Sequence, residues 1–213
     1  MNLPIILLGA GGHGRVLLDI LFQQSLKVLA IADPACKNIH SIENIPLIDE
    51  QAVLGYPTAE VLLVNGLGSI GDTGKRQNIY EYFKKKGFKF ATIIHTSAVI
   101  SPQAVFGEGV QVMAGAIVQT GATVACNSII NTKATIEHDC LVGAHVHIAT
   151  GAILCGGVHV NDQAHVGAGV TIIQGLVIGK RSIIGAGAVV LKDIPPAVVA
   201  VGVPARIIKY REG

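Results

Sequence analysis

From Ile100 to Val190 every sixth residue is bulky and apolar, beginning Ile100, Phe106, Val112, Val118 and holding phase without exception through Ile178, Ile184 and Val190. Two residues ahead of each lies a second register, Ala98, Ala104, Val110, Ala116 and onward through Cys140 to Ser182 and Ala188, which is mostly small. A short fixed period held this long is the mark of a solenoid, and a period of six belongs to parallel β-helices, where each unit is one short strand and a corner. The bulky residue is expected to point inward, with the small one filling the space beside it. Composition agrees: the chain holds 26 Gly, no Trp, and an apolar half rich in Val, Ile and Ala, which suits stacked strands better than helix bundles. Its mean hydropathy is +0.55. Gly or polar residues nevertheless interrupt every apolar stretch well short of the roughly 18 residues needed to span a bilayer, so no membrane insertion is expected.

The six-residue pattern resembles the hexapeptide-repeat acyltransferases, over about residues 92–193 and with no insertion loop. That resemblance implies an all-β, left-handed parallel β-helix of triangular section, three hexapeptides to a coil. The left hand follows from the resemblance alone, because it runs against the right-handed crossover rule. With eighteen residues to a coil, residues eighteen apart stack at about 4.8 Å, the spacing of neighbouring strands.

The first ninety residues have a different grammar. Leu3–Leu8 reads as a buried strand, followed by the Gly-rich turn Gly9-Ala-Gly11-Gly12-His13-Gly14 and a helix over Arg15–Gln24 with Val16, Leu17, Ile20 and Leu21 at helical spacing. Glycines let backbone approach a ligand, and a helix N-terminus offers unpaired N–H groups to phosphate oxygens. A second strand, Val28–Ala32, ends at Asp33, about twenty residues past the turn, where a carboxylate can hold a ribose hydroxyl or a base edge. Val61–Val64 reads as a third strand, leading into Asn65-Gly-Leu-Gly68, and Gly74–Lys86 as a second helix. A complete dinucleotide fold needs two such halves. Ninety residues supply one, which suits a single nucleotide and argues against NAD.

A small Rossmann-like α/β domain (1–91) joined through Ile94-His95 to an uninterrupted hexapeptide helix (92–193), with a C-terminal cap or tail (194–213), resembles the bacterial nucleotide-sugar acetyltransferases of the bacillosamine and perosamine pathways. The sialic acid O-acetyltransferases are similar. The resemblance implies that Gly11, Gly12, His13, Gly14 and Asp33 bind UDP or GDP attached to a sugar, and that acetyl-CoA lies along the β-helix between neighbouring subunits.

The chemistry is concentrated in Asn131-Thr-Lys-Ala-Thr-Ile-Glu-His138-Asp139-Cys140. His138 follows the inward Ile136 by two positions, so it belongs to a corner and faces out. A neutral imidazole is well matched to take a proton from a sugar amine during attack on a thioester, and Asp139 can orient the ring. Eighteen residues on lies Gly156, whose N–H can approach the thioester oxygen as charge develops. In the resembling family the corresponding His is the proposed base, with Glu the commoner neighbour where this chain has Asp139. The resemblance assigns polar roles around sugar and acetyl groups to Asn131 and His147, and acetyl-CoA contacts to Gly156, Ala168, Gly202 and Pro204. His147 lies half a coil from His138, so the two are expected to meet only across a subunit boundary. His145 and His159 read as structural corner residues, and His147 and His165, eighteen apart, as a stacked pair. The paired-His spacing of the zinc carbonic anhydrases is absent, so no metal is expected.

A net charge of +2 gives no reason to expect nucleic acid as a partner. Cys36, Cys126, Cys140 and Cys155 form no CxxC pair and fit a reducing compartment, and Met1–Gly9 lacks the basic flank of a secretion signal, so a cytoplasmic protein is expected. Cys140 falls in the inward register and is read as structural, which points to direct transfer without an acyl-enzyme. The reading is an acetyl-CoA-dependent N-acetyltransferase acting on the amine of a UDP- or GDP-linked 4-amino-dideoxy sugar in bacterial glycan biosynthesis, assembled as a homotrimer. The alternatives are O-acetylation of sialic acid or a capsule sugar, and a non-catalytic nucleotide-sugar-binding scaffold.

Overall fold

The computed structural model describes residues 3–34 and 41–211. The chain divides into two units, 1–68 with 75–91, and 69–74 with 92–213. The segment Ser69–Gly74 thus belongs with the second unit although it lies inside the first in sequence. Cys36 falls outside the described residues.

In the first unit β1 (Ile5–Leu8) is buried along its whole length, as its continuous apolar run requires of a central parallel strand. It is followed by α1 (Gly12–Gln23), β2 (Val28–Ala32), β3 (Ser41–Ile42), β4 (Ile45–Ile48), β5 (Leu62–Asn65) and α2 (Gly74–Lys85). The sheet order is β3-β4-β2-β1-β5, with only β3 antiparallel. The winding reverses between β1 and β5, so the loops after these two strands flank the crevice where open α/β sheets take ligands. Glycine makes their close approach possible. A methyl group on Gly66 would lie 2.7 Å from the carbonyl oxygens of both Leu8 and Gly9. Several boundaries differ from expectation: β1 starts at Ile5 rather than Leu3, and α1 and α2 each end one residue early, at Gln23 and Lys85. The helix begins at Gly12 rather than Arg15, because the glycines of the turn themselves form its first turn, and β5 runs one residue later than Val61–Val64. The short β3–β4 hairpin carries no strong alternation that would signal it in the sequence.

The second unit is a parallel β-helix of two-residue strands on three walls. The first wall stacks Ile93–Ile94, Gln111–Val112, Ile129–Ile130, His147–Ile148, His165–Val166 and Ile183–Ile184. The second runs from Val99–Ile100 through Thr135–Ile136 to Val189–Val190, and the third from Val105–Phe106 through Leu141–Val142 to Val177–Ile178. Every register pair links residues eighteen apart, for example Ile117 with Thr135 and His147 with His165. From Val112 onward the bulky register is buried throughout, and the small register is buried from Val110 with Leu176 half-buried. Ile100 and Phe106, on the opening coil, are only half-buried because nothing stacks beneath them.

The corners explain the period. Each hexad needs one residue in the left-handed region, and positive φ recurs at every sixth position from Gly109 to Gly187. On the edge between the second and third walls this column reads Gly121, Asp139, Gly157, Gly175, at φ +70°, +58°, +68° and +70°. Glycine adopts that conformation without cost and Asp tolerates it better than most residues, which accounts for much of the chain's glycine.

Beyond Val190 the tail adds Val198–Val201, parallel to Ile183–Ile184, and Arg206–Tyr210, antiparallel to that, both extending the first wall. Across the outer face of the same wall lies Ser69–Gly74. The Ser69 hydroxyl meets His147 Nδ1, a methyl on Gly71 would touch Ile183 at 3.4 Å, and the Thr73 hydroxyl donates to the Gln163 carbonyl at 3.3 Å. No helix among the described residues is long and apolar enough to cross a membrane.

Candidate active site

His138 projects from the edge between the second and third walls, where its side chain and that of Asp139 are 60% and 72% exposed. Adjacent residues of an extended chain point to opposite faces. The left-handed conformation of Asp139 turns its carboxylate back beside the ring, and Oδ2 lies 2.8 Å from His138 Nδ1. A carboxylate accepts only, so this contact places the proton on Nδ1 and leaves the Nε2 lone pair available as a base. The shorter Asp side chain therefore makes the orienting contact. On the adjoining coil Gly156 lies against the ring, and a methyl group there would overlap His138 Nε2 and Cε1. No backbone carbonyl among the described residues accepts the Gly156 N–H.

Asn131 and His147 come together away from His138. Asn131 follows the first wall at its edge with the second, and His147 stands on the outer face of the first wall. The Asn131 amide nitrogen is 3.0 Å from His147 Nε2, and its amide oxygen accepts the Thr132 N–H at 2.8 Å. On the other side of the imidazole, Nδ1 is 2.8 Å from the Ser69 hydroxyl and 3.2 Å from the Ser69 carbonyl oxygen. Ser69 was missed by sequence reasoning. It lies 78 residues from His147, outside the repeat, and no spacing signals it. His147 and His165 form the expected pair, ring centroids 5.0 Å apart and edge to face. Burial pushes the His165 pKa below its ordinary value, so the ring is neutral near pH 7.

In the first unit Gly11 is the N-cap of α1, and Gly12, His13 and Gly14 form its first turn. Gly11 and Gly12 thus stand at the helix N-terminus, the end whose N–H groups and dipole favour an anion. Methyl groups on Gly11 or Gly12 would meet nothing within 4 Å, so these two residues border open space. Gly14 is a correction: it is buried, and a methyl there would collide with the Gly9 carbonyl, so its glycine serves helix-to-strand packing and does not line the turn. Asp33 is turned to the same loop, its Oδ2 accepting the Ala10 N–H at 2.7 Å. The loop after β5 is fastened by Arg76, which donates to the carbonyls of Asn65 at 2.8 Å and Leu67 at 2.7 Å, while the Asn65 amide donates to the Arg76 carbonyl at 3.0 Å. Burial pushes the Arg76 pKa down to about 9, so it remains a cation at neutral pH.

Ala168 is exposed on the edge between the first and second walls, the edge of Asn131 rather than that of Gly156. Gly202 and Pro204 are exposed in the turn between the two tail strands. Pro204 borders a groove of about 430 Å³ that Lys192 and Arg206 also line, two cations suited to phosphate. Cys140 is fully buried, donates to the Cys155 carbonyl at 3.2 Å, and has its pKa raised by burial. It is a poor nucleophile. No group of three or more His, Cys, Asp or Glu among the described residues is arranged to hold a metal ion.

Residues 4–83 match the family model of the PglD N-terminal domain. The acetyltransferase domain of PglB from Neisseria gonorrhoeae superposes with a TM-score of 0.89 at 32% identity, covering 97% of this chain and all of that one. PerB from Caulobacter crescentus, solved with CoA and GDP-perosamine, superposes at 0.88 with 34% identity over 97% of both chains. The chain belongs to the bacillosamine and perosamine N-acetyltransferase family. Membership fixes the hand of the β-helix as left. In the curated UDP-N-acetylbacillosamine N-acetyltransferase of Bacillus subtilis, 117 residues align at 36% identity, and the match spans about half the length of each protein. As in its relatives, the fold pairs a nucleotide-scale α/β unit with a β-helix, and PglB has also been solved with acetyl coenzyme A.

Proposed function

We propose that the protein transfers an acetyl group from acetyl-CoA to the amine of a UDP- or GDP-linked 4-amino-dideoxy sugar, directly and with His138 as general base. The observation that carries this reading is the His138–Asp139 contact of 2.8 Å, which leaves Nε2 as the free basic atom beside Gly156. An alkyl amine is mostly an ammonium ion at neutral pH and has no lone pair, so the attacking species is the neutral amine left once one proton has gone to bulk water. Nε2 accepts one amine proton as nitrogen attacks the thioester carbon. The Gly156 N–H donates to the oxyanion as the tetrahedral intermediate forms. The C–S bond then breaks, and the thiolate leaves with the proton that His138 has held. Asp139 stabilises the imidazolium between these steps. The helix N-terminus at Gly11–His13 offers N–H groups to the diphosphate, and the groove beside Pro204 offers Lys192 and Arg206 to the phosphates of CoA.

Asn131 and His147 contribute polar contacts to the acetyl or sugar group. Asn131 lies seven residues before His138 and His147 half a coil after it, both away from its edge of the prism, so a complete site forms between neighbouring subunits, which supports a homotrimer. Exposed apolar residues on the second and third walls, Val99, Ile153, Val105, Leu141 and Val177, support side-by-side packing of β-helices.

The test incubates the purified protein with acetyl-CoA and UDP- or GDP-linked 4-amino-4,6-dideoxy sugars, following thiol release and the mass of the nucleotide sugar. Thiol release with an acetylated sugar, lost in His138→Ala, is expected. A His138→Ala variant turning over as fast as wild type would sink the mechanism. Light scattering gives the assembly state, three chains of 22.1 kDa being expected.

A further inference from the structure

We propose that Ser69 is a positioning residue for acetyl transfer, holding His147 in the neutral Nδ1-protonated tautomer so that Asn131 is presented to the reacting groups in one orientation. The proposal rests on the roles given above to Asn131 and His147.

The Thr132 N–H can only donate. It lies 2.8 Å from the Asn131 amide oxygen and so fixes which end of that amide is oxygen. The amide nitrogen therefore faces His147 Nε2 at 3.0 Å, and because an NH2 group only donates, Nε2 must present its lone pair. The one proton of the neutral ring then sits on Nδ1. Ser69 supplies what that proton needs: a carbonyl oxygen, which only accepts, at 3.2 Å, and a hydroxyl at 2.8 Å. Four groups in series, the Thr132 N–H, the Asn131 amide, the His147 imidazole and Ser69, thus have their donors and acceptors aligned in one direction. The arrangement has one consistent protonation state. A proton added at Nε2 would confront the Asn131 N–H, and the opposite tautomer would also leave the Ser69 carbonyl oxygen, which only accepts, facing a lone pair on Nδ1, although the Ser69 hydroxyl could then donate to it.

Burial strengthens the constraint, since His147 is only 6% exposed and water has little access to satisfy a misdirected ring nitrogen. One N–H of the Asn131 amide is spent on His147, which leaves the second for a ligand carbonyl or hydroxyl. Ser69 therefore acts through His147 on Asn131, and it touches no reacting atom itself.

The test compares wild type, Ser69→Ala and Ser69→Thr as full-length protein, with Asn131→Ala and His147→Ala alongside. In long-range proton–nitrogen spectra of histidine-labelled, ligand-free protein, His147 of wild type is expected as the Nδ1-protonated tautomer. Ser69→Ala keeps the main-chain carbonyl and the Asn131 amide that set the tautomer, so His147 is expected to stay Nδ1-protonated while kcat falls about three- to tenfold with the KM of the nucleotide sugar little changed, as loss of the hydroxyl hydrogen bond predicts. Ser69→Thr, which restores a hydroxyl, is expected to recover kcat. A wild-type His147 protonated on Nε2, or a Ser69→Ala variant whose kcat stays as in wild type, overturns the proposal. Full turnover in His147→Ala and Asn131→Ala would show that the roles assigned to those two residues had failed, while the spectra would still decide the link from Ser69 to His147.

Discussion

The imidazole of His138 occupies the space that a side chain on Gly156 would fill. The two residues are eighteen apart, one above the other on the same edge of the β-helix. Gly156 φ lies outside the left-handed region, so the backbone there accepts alanine without strain. The Gly156→Ala variant is therefore expected to fold normally while displacing the ring from its place beside Asp139. A loss of about 10- to 100-fold in kcat is expected, the usual effect of moving a catalytic group by about an ångström. Steady-state kinetics and a melting curve on the same preparation check both halves.

Asp139 is the one non-glycine in its corner column of Gly121, Asp139, Gly157 and Gly175. Holding a side chain in the left-handed region costs about 1 kcal/mol. Asp139→Gly is expected to raise Tm by about 2–4 °C and to lower kcat about tenfold, because the ring loses its orienting carboxylate. Lys133 occupies the equivalent place in the column of Gly115, Lys133, Gly151, Gly169 and Gly187, and Lys133→Gly should give a similar gain in Tm. Calorimetry of both variants tests this, and a drop in Tm for both would refute the strain argument.

His165 makes stability depend on pH. Its folded pKa is lowered by burial, so between that value and the ordinary value near 6.5 the unfolded chain binds the proton and the folded chain does not. Stability therefore falls as pH drops through 6.5 and keeps falling until the folded pKa is reached. His165→Gln, which cannot ionise, is expected to flatten the Tm profile as pH falls below about 7. A profile as steep as that of wild type would show that other groups set the acid limit.

Cys140 donates to the Cys155 carbonyl from a fully buried position close to His138 in sequence. Cys140→Ala is expected to cost about 1–2 kcal/mol of stability through the small cavity it leaves and to retain turnover. Loss of activity in a variant that remains folded would instead indicate an acyl-cysteine intermediate, which mass spectrometry of protein quenched with acetyl-CoA would detect.

The β-helix was legible because its period is enforced at every rung by two separate demands, an inward branched side chain and a corner residue at positive φ. That same period puts His138 outward and Gly156 beside it. Asp139 carries a second signal besides its place next to His138, since it interrupts a run of glycines at eighteen-residue spacing. The Gly-rich turn was less transparent. Its pattern does not distinguish Gly11 and Gly12, which border open space, from Gly14, which packs against the Gly9 carbonyl. Ser69 and Arg76 were beyond reach for a different reason: each acts on residues brought near by tertiary folding, and no repeat or motif encodes that approach.

The three-walled winding also restricts how such a chain can change length. Removing one hexad would rotate every later side chain by a wall, carrying the base to a new edge while its glycine partner stayed behind or moved out of step. Removing a full turn of eighteen from a stretch that bears no chemistry would shorten the prism and leave each face as it was. Insertions and deletions in the coiled region are thus tolerated in quanta of three units, and anything smaller scrambles the faces.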